Sequence, residues 1–319
     1  MDGIPQSGSY TLSQHVFQIF PTVILRCVTP QKAGDSMNIG IVGAGKVGFT
    51  LGKFFAENNI QVTGYYSRRR ESAKEAAAFT GTTVYDSIGE LVQDSDAVFL
   101  TVPDSAISSV FEELKEFDLT GRLICHCSGA MTAREAFPGI KDTGAYGYSI
   151  HPLFPIHSKY DTYRELAGAF FCLEGDKFYI DYWYETLKSL GVNVKTIASE
   201  VKVKYHAACT ISSNLVCALV QESLNLMETC GFTRSSALEA LAPLIECNVR
   251  NILKEGPVNA LTGPVERNDV STIQKHLGCF LTQTEENLYR DLSRELIKVA
   301  EEKNSHINYS ELKNMLNEE

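Results

Sequence analysis

Two short stretches carry residue types that could do chemistry together. Gly43-Ala44-Gly45-Lys46-Val47-Gly48 has the spacing G-x-G-x-x-G. About twenty residues later, Ser67 is followed by three consecutive arginines, Arg68, Arg69 and Arg70. Between a strand and a helix such glycines have separate tasks. The first permits a tight turn, the second lets a pyrophosphate approach the backbone, and the third lets the helix pack closely on its strand. The helix N-terminus adds free N–H groups and partial positive charge. Where a ribose 2′-hydroxyl is recognised, an Asp or Glu ends the second strand. Here no carboxylate occurs before Glu71. A hydroxyl with guanidinium groups suits a 2′-phosphate, which an Asp would repel. The expectation is that Gly43, Ala44, Gly45, Lys46, Val47, Gly48, Ser67, Arg68 and Arg69 bind NADP, with Arg70 turned to solvent. The competing reading is a solvated charge run at a helix start, where basic residues oppose the dipole.

A second constellation lies in "SEVKVKYHAACTISSNLVCALVQESLNLMETCG", which reads as one long helix ending at a capping Gly. At roughly 100° per residue, Lys202, His206, Thr210 and Ser213 fall within about 80°, and Asn214 widens the stripe to about 120°. These are proton donors and hydrogen-bonding groups suited to a polar substrate. Ala207, Ala208, Ile211 and Leu215 around them suggest a buried helix, whose polar groups then need partners: a ligand, or the loop containing Arg267 and Asp269. The other reading is a polar face meeting water or a subunit.

These groups must be positioned by a sheet. Ile39, Ile41 and Val42 form an apolar run before the glycines, as in a central parallel strand. "IQVTGYY" (60–66), "AVFLTV" (97–102), "RLICHCS" (122–128), "AYGYSIHPLFP" and "AGAFFCLEG" read as further strands. Helical segments alternate with them, and Asp104 is placed to cap the helix that follows Pro103. The fold class expected is α/β: a doubly wound parallel Rossmann sheet, followed by an all-α C-terminal domain. Ligands in such sheets lie beyond the carboxyl ends of the strands. That gathers Thr101-Val102-Pro103, Ser128-Gly129-Ala130 and His151-Pro152-Leu153 near the cofactor. Ser128 is either a turn residue or a hydrogen-bonding partner of substrate or nicotinamide. His151 is either structural or a substrate contact. With His157 it makes no metal site, because no third ligand has a recognisable spacing.

The expected division is residues 1–36 as an extension outside the fold, 37–198 as the NADP-binding domain, and 199–319 as an all-α domain for substrate and dimerisation. The 319 residues, 44% hydrophobic and 21% charged, suffice for two domains with real cores. A net charge of −10 argues against nucleic acid and anionic membrane surfaces as partners. No apolar run reaches membrane-helix length, and no basic segment precedes Val16–Val28, so neither a span nor a signal peptide is expected. Nine cysteines without a CxxC suggest a reducing, cytoplasmic compartment. Cys125 and Cys127 fall on one strand face and read as buried hydrophobes more readily than as metal or redox ligands.

The motifs "GAGKVG", "YYSRRRESA", "TVPDSAI", "CHCSGA", "HPLFP", "KVKYHAACTISSN" and "LTGPVERND" give the chain a resemblance that runs from Met37 to about Ala300. It resembles Rossmann-like oxidoreductases whose helical C-terminal half is a domain of unknown function. These are relatives of pyrroline-5-carboxylate reductase and of the β-hydroxyacid and 6-phosphogluconate dehydrogenases. The resemblance implies an NADP-dependent reductase-like fold and a homodimer through the helical domain. The β-hydroxyacid dehydrogenases carry a catalytic Lys with an Asn one turn later. Here Lys202 is followed one turn later by His206, and the nearest Asn is Asn214.

The reading is an oxidoreductase that passes hydride between nicotinamide and a small carbonyl or imine carbon. An alkoxide formed on reduction needs a general acid. His206 or Lys202 is the donor, Ser128 and Asn214 position the substrate, His151 and Ser213 contact it, and Arg267 holds a carboxylate if the substrate has one. The rivals are a nicotinamide-binding sensor or scaffold without turnover, an imine reductase resembling pyrroline-5-carboxylate reductase, and an enzyme that prefers NAD despite the arginines.

Overall fold

A computed structural model describes residues 37–317; the expected extension, residues 1–36, lies outside them. The described residues divide into two compact units, with the boundary between His206 and Ala207.

The first unit is built on one eight-stranded sheet. Its strands are β1 (Ile39–Val42), β2 (Val62–Tyr66), β3 (Thr83–Val84), β4 (Ala97–Leu100), β5 (Leu123–His126), β6 (Tyr146–Leu153), β7 (Phe170–Gly175) and β8 (Asn193–Thr196), in the order β3-β2-β1-β4-β5-β6-β7-β8. All neighbours run parallel except β6 and β7, which are antiparallel. The expectation of a parallel doubly wound sheet thus describes β1 to β6. The short edge strands β3 and β8 carry too few apolar residues to stand out in the sequence.

Alternation along β4 explains why helices cover both faces. Ala97 and Phe99 enter one core cluster with Ile39, Ile41, Phe49, Phe55, Tyr65 and Trp183. Val98 and Leu100 enter the other with Val42, Leu91, Phe111 and Phe137. A strand buried on both faces reads as a continuous apolar run. The covering helices are α1 (Lys46–Glu57), α2 (Arg70–Thr80), α3 (Ile88–Gln93), α4 (Asp104–Leu114), the single turn α5 (Ala133–Ala136) and α6 (Ile180–Ser189). Between β6 and β7 the chain forms only a 3-10 turn, Thr162–Glu165, and lays Tyr160 and Tyr163 against Phe79.

A 3-10 turn, Ser199–Val201, leads into α7 (Lys202–Ser212). The second unit continues with α8 (Asn214–Thr229), α9 (Arg234–Ala260), α10 (Val270–Leu277), α11 (Gln283–Lys303) and α12 (Ser310–Asn317). Its core joins Val265, Ile273, Ile297, Tyr309, Leu312 and Leu316. Two expectations are corrected here. The long helix is broken at Ser213, whose φ of −127° and ψ of −80° are not helical, so α8 does not continue the register of α7. The surroundings of the stripe are also not buried in the chain: Ala207, Ala208, Ile211 and Leu215 are all exposed.

Candidate functional site

Past the carboxyl end of β1 the chain must turn sharply to enter α1. Gly43 makes that turn with φ +106°, and the Thr101 hydroxyl fixes it by donating to Gly43 O over 2.9 Å. A Cβ on Gly48 would lie 2.4 Å from Gly43 O and 2.6 Å from Thr101 Oγ1, so helix and turn meet backbone to backbone. Gly45 is different. A Cβ there would meet no protein atom within 4 Å, because its Cα opens on a cavity of about 370 Å³.

The cavity is lined by Gly43, Ala44, Gly45, Ser67, Arg68, Arg69, Thr101, Val102 and Pro103, together with Ser72, Glu113 and Lys159. The N-termini of α1 and α2, capped by Gly45 and Arg69, carry no side-chain cap bond. Their first N–H groups are available to an anion. Arg68 and Arg69 are exposed. Arg70 is exposed, as expected, in a surface pair with Asp86, whose carboxylate lies 2.5 Å from Nη2 and 2.7 Å from Nε. Lys46 is exposed on the first turn of α1, and Val47 packs on the core rather than lining the cavity.

A second cluster gathers past β5 and β6. A Cβ on Gly129 would fall 2.2 Å from His206 Nδ1 and 2.9 Å from His151 Nε2. Two imidazoles therefore close directly on this turn, with ring centroids 5.8 Å apart. His151 Nδ1 lies 2.9 Å from the Tyr205 hydroxyl. Burial, with Lys202 and His206 nearby, lowers His151 to about 4, so its ring is neutral at pH 7.

Ser128 is buried, and its hydroxyl is engaged twice: it donates to Asp104 Oδ2 over 2.6 Å and accepts from Met131 N at 3.1 Å. That corrects the expectation of Asp104 as an N-cap. Pro103 occupies the cap position of α4, and the Asp104 carboxylate ties this helix to Ser128. His126 Nδ1 accepts from Ser128 N over 3.1 Å, which leaves the ring proton on Nε2, a buried atom. Burial, reinforced by Lys202, lowers His126 to about 3.

Lys202 lies beneath this turn. Its side chain is completely buried, and Nζ donates to Ser149 Oγ over 2.6 Å. Ser149 Oγ in turn donates to Ser128 O over 3.2 Å. Burial lowers the Lys202 pKa, against the pull of Glu174, Cys172, Cys127 and Asp104. Burial also pushes the Cys127 thiol up to about 12, so it is not a thiolate at neutral pH.

The structure thus brings together Ser128, His151, Lys202 and His206. Ser213, Asn214 and Arg267 lie in the second unit. Ser213 Oγ is spent on Cys209 O at 2.7 Å, Asn214 opens α8, and Arg267 is exposed beside Asp269, which caps α10. Sequence reading missed Ser149, Tyr205, His126 and Glu174. Only the alternation of "YGYSIH" could have marked Ser149 and His151, two residues apart, as same-facing neighbours on one strand. Among the described residues no group of three or more His, Cys, Asp or Glu could hold a metal ion, and no helix is long and apolar enough to cross a membrane.

Residues 29–152 match the Rossmann-like domain, and residues 169–296 match a domain of unknown function, DUF2520. No curated protein matches in sequence. Among solved structures the chain is similar to a Thermotoga maritima protein, with 27% identity and a TM-score of 0.66 over 83% of this chain and 99% of that one. A candidate NADP oxidoreductase of Bacteroides fragilis has 21% identity and a TM-score of 0.63, over 82% and 98% of the two chains. A reductive aminase of Aspergillus terreus, solved with NADPH and ethyl-5-oxohexanoate, has 13% identity and a TM-score of 0.55, over 88% and 93%.

Proposed function

For a chain that joins a Rossmann-like domain to a DUF2520 domain, we propose an NADP-dependent oxidoreductase acting on a small carbonyl or imine compound. The observation that carries this reading is Gly45. Its Cα faces the cavity with no protein atom nearby, between two helix N-termini without side-chain caps and beside Ser67, Arg68 and Arg69. The residues fit the dinucleotide. The α1 N-terminus would take the pyrophosphate, and Ser67 with the two arginines the 2′-phosphate. The NADPH-bound reductive aminase shares the fold and supports the same cofactor.

When bound, the nicotinamide supplies hydride to the electrophilic carbon. The chain supplies orientation and a proton. His206, pressed on the Gly129 backbone beside His151, is the group we assign to proton transfer at the substrate heteroatom. The His151–Tyr205 bond fixes the neighbouring ring. Lys202 is buried under Ser149, so we assign it positioning: it fixes Ser149 and, through Ser128 O, the turn against which His206 rests. Ser128, held by Asp104, shapes the same turn. Asn214, Ser213 and Arg267 remain our candidates for substrate contact from the second unit.

A homodimer through the helical unit belongs to the same proposal. Leu244 is 66% exposed, Leu253 is 82% exposed, and Ile211, Leu215, Leu238 and Val249 are exposed as well. So much apolar surface favours a partner, and sedimentation as a monomer at micromolar concentration would reject it.

The test is titration with NADPH and NADH, then NADPH oxidation across keto acids, aldehydes, and cyclic and acyclic imines. NADPH binding at least tenfold tighter than NADH, with turnover of one carbonyl or imine class, is expected. Binding without turnover on the whole panel would favour a sensor, and preference for NADH would reject the role of the arginines.

A further inference from the structure

The cofactor cavity contains a residue that the sequence places far from it. Lys159 belongs to the crossover between β6 and β7, yet it lines the cavity with Gly45, Arg68, Arg69 and Ser72. The crossover is anchored against α1 and α2 rather than lying loose. The Tyr160 ring meets Phe49 and Phe79 edge-on, with centroids 5.7 and 5.3 Å apart, and Tyr163 meets Phe79 at 5.8 Å. The Tyr160 hydroxyl donates to Glu75, and Thr162 and Leu166 are fully buried.

These contacts set the Lys159 ammonium between the first turn of α1 and the second turn of α2. Nζ lies 4.5 Å from the centroid of Phe49, on α1, and 3.0 Å from Glu75 Oε2, on α2. Glu75 is also within electrostatic reach of Arg69, so Lys159 and Arg69 share one neighbourhood. The Glu75 bond uses one of three ammonium donors and leaves the others for a ligand. The cavity lining then holds three cations, Arg68, Arg69 and Lys159, against one carboxylate, Glu113.

We propose that Lys159 is a third cationic contact to the 2′-phosphate of the dinucleotide, delivered by the β6–β7 crossover, and that it helps set the preference for NADPH over NADH. This rests on the cofactor reading given above. The Phe49, Tyr160 and Glu75 contacts hold the crossover, so the amine position does not depend on a long flexible side chain searching from solvent. A point charge on a phosphate is a role that lysine fills well.

The test is calorimetric titration of the full chain with NADPH and with NADH, on wild type, Lys159→Met and Lys159→Arg. Lys159→Met is expected to weaken NADPH by 5- to 20-fold and leave NADH within twofold. Lys159→Arg keeps the charge and retains the discrimination, so it reads the proposal even if the methionine variant folds poorly. Equal weakening of both dinucleotides places the amine on the pyrophosphate and overturns the proposal; so does an unchanged NADPH affinity in the methionine variant. Wild type binding neither dinucleotide overturns the cofactor reading as well. Wild-type discrimination that Lys159→Met leaves intact overturns this inference alone.

Discussion

The Lys202 ammonium, with no exposure to solvent, donates to Ser149 Oγ over 2.6 Å. Removing either partner has different consequences. Ser149→Ala leaves a buried donor short of its acceptor, at a cost of about 1–3 kcal/mol. Lys202→Met removes the donor itself, and Ser149 Oγ keeps its bond to Ser128 O, so no hydrogen-bonding group is stranded at this contact. Urea unfolding should therefore find Ser149→Ala the more destabilising, and Ser149→Ala in the Lys202→Met background nearly silent. Additive losses would show that the two residues are not coupled.

Gly45 and Gly48 are three residues apart and should respond oppositely to substitution. Gly45 has φ −84° and ψ −172°, open to any residue, and its Cβ would meet nothing. Gly45→Val should change stability by less than about 1 kcal/mol while abolishing measurable NADPH binding, since the side chain fills the place of the pyrophosphate. Gly48→Ala drives a methyl to 2.4 Å from Gly43 O and should lose about 1–3 kcal/mol of stability. Thermal unfolding and titration on the same samples separate the two. Tight NADPH binding by Gly45→Val would remove the glycine turn from the site.

What the sequence disclosed and what it hid follow one division, between local and long-range causes. The turn at Gly43, the packing of Gly48 and the opening at Gly45 depend on neighbours a few residues away, and spacing is enough to find them. Ser67, Arg68 and Arg69 follow the second strand directly and are legible for the same reason. Asp104 reads as a cap because local propensity favours it, but tertiary structure gives its carboxylate to Ser128, 24 positions on. The stripe from Lys202 to Asn214 assumes an unbroken helix. Its register is lost at Ser213, and an angle extrapolated past a break has no meaning. Lys159 is hidden entirely, since only the path of the crossover over Phe49 and Phe79 brings it back to Arg69.

Two neutral histidines make stability depend on pH in a defined window. His126 is lowered to about 3 and His151 to about 4, in both cases mainly by burial. Unfolded, each returns to about 6.5. Below that value the unfolded chain binds more protons than the folded one, so stability falls as the pH falls. Each histidine contributes up to about 1.4 kcal/mol per pH unit, His151 down to about pH 4 and His126 down to about pH 3. Between pH 6.5 and 5 most carboxylates are already ionised, so the slope there belongs to the histidines. His126→Asn keeps an acceptor for Ser128 N and should flatten the slope by about one histidine's share. An unchanged slope in that variant would mean that His126 is protonated in the folded state.

Gly129 offers the sharpest separation between chemistry and cofactor binding. Its added Cβ would stand 2.2 Å from His206 Nδ1 and 2.9 Å from His151 Nε2, and these rings belong to different elements, α7 and β6. Gly129→Ala must therefore displace at least one of them. The cavity around Gly45, Arg68 and Arg69 does not include Gly129. The expected outcome is an NADPH affinity within about threefold of wild type, with kcat on the best substrate reduced by roughly 100-fold or more, the scale of a lost or misplaced acid–base group. His206→Ala should give a similar loss, and the double variant should be scarcely worse than either single one. If Gly129→Ala keeps full turnover, His206 does not act from the position it holds beside this turn, and proton transfer belongs to another group.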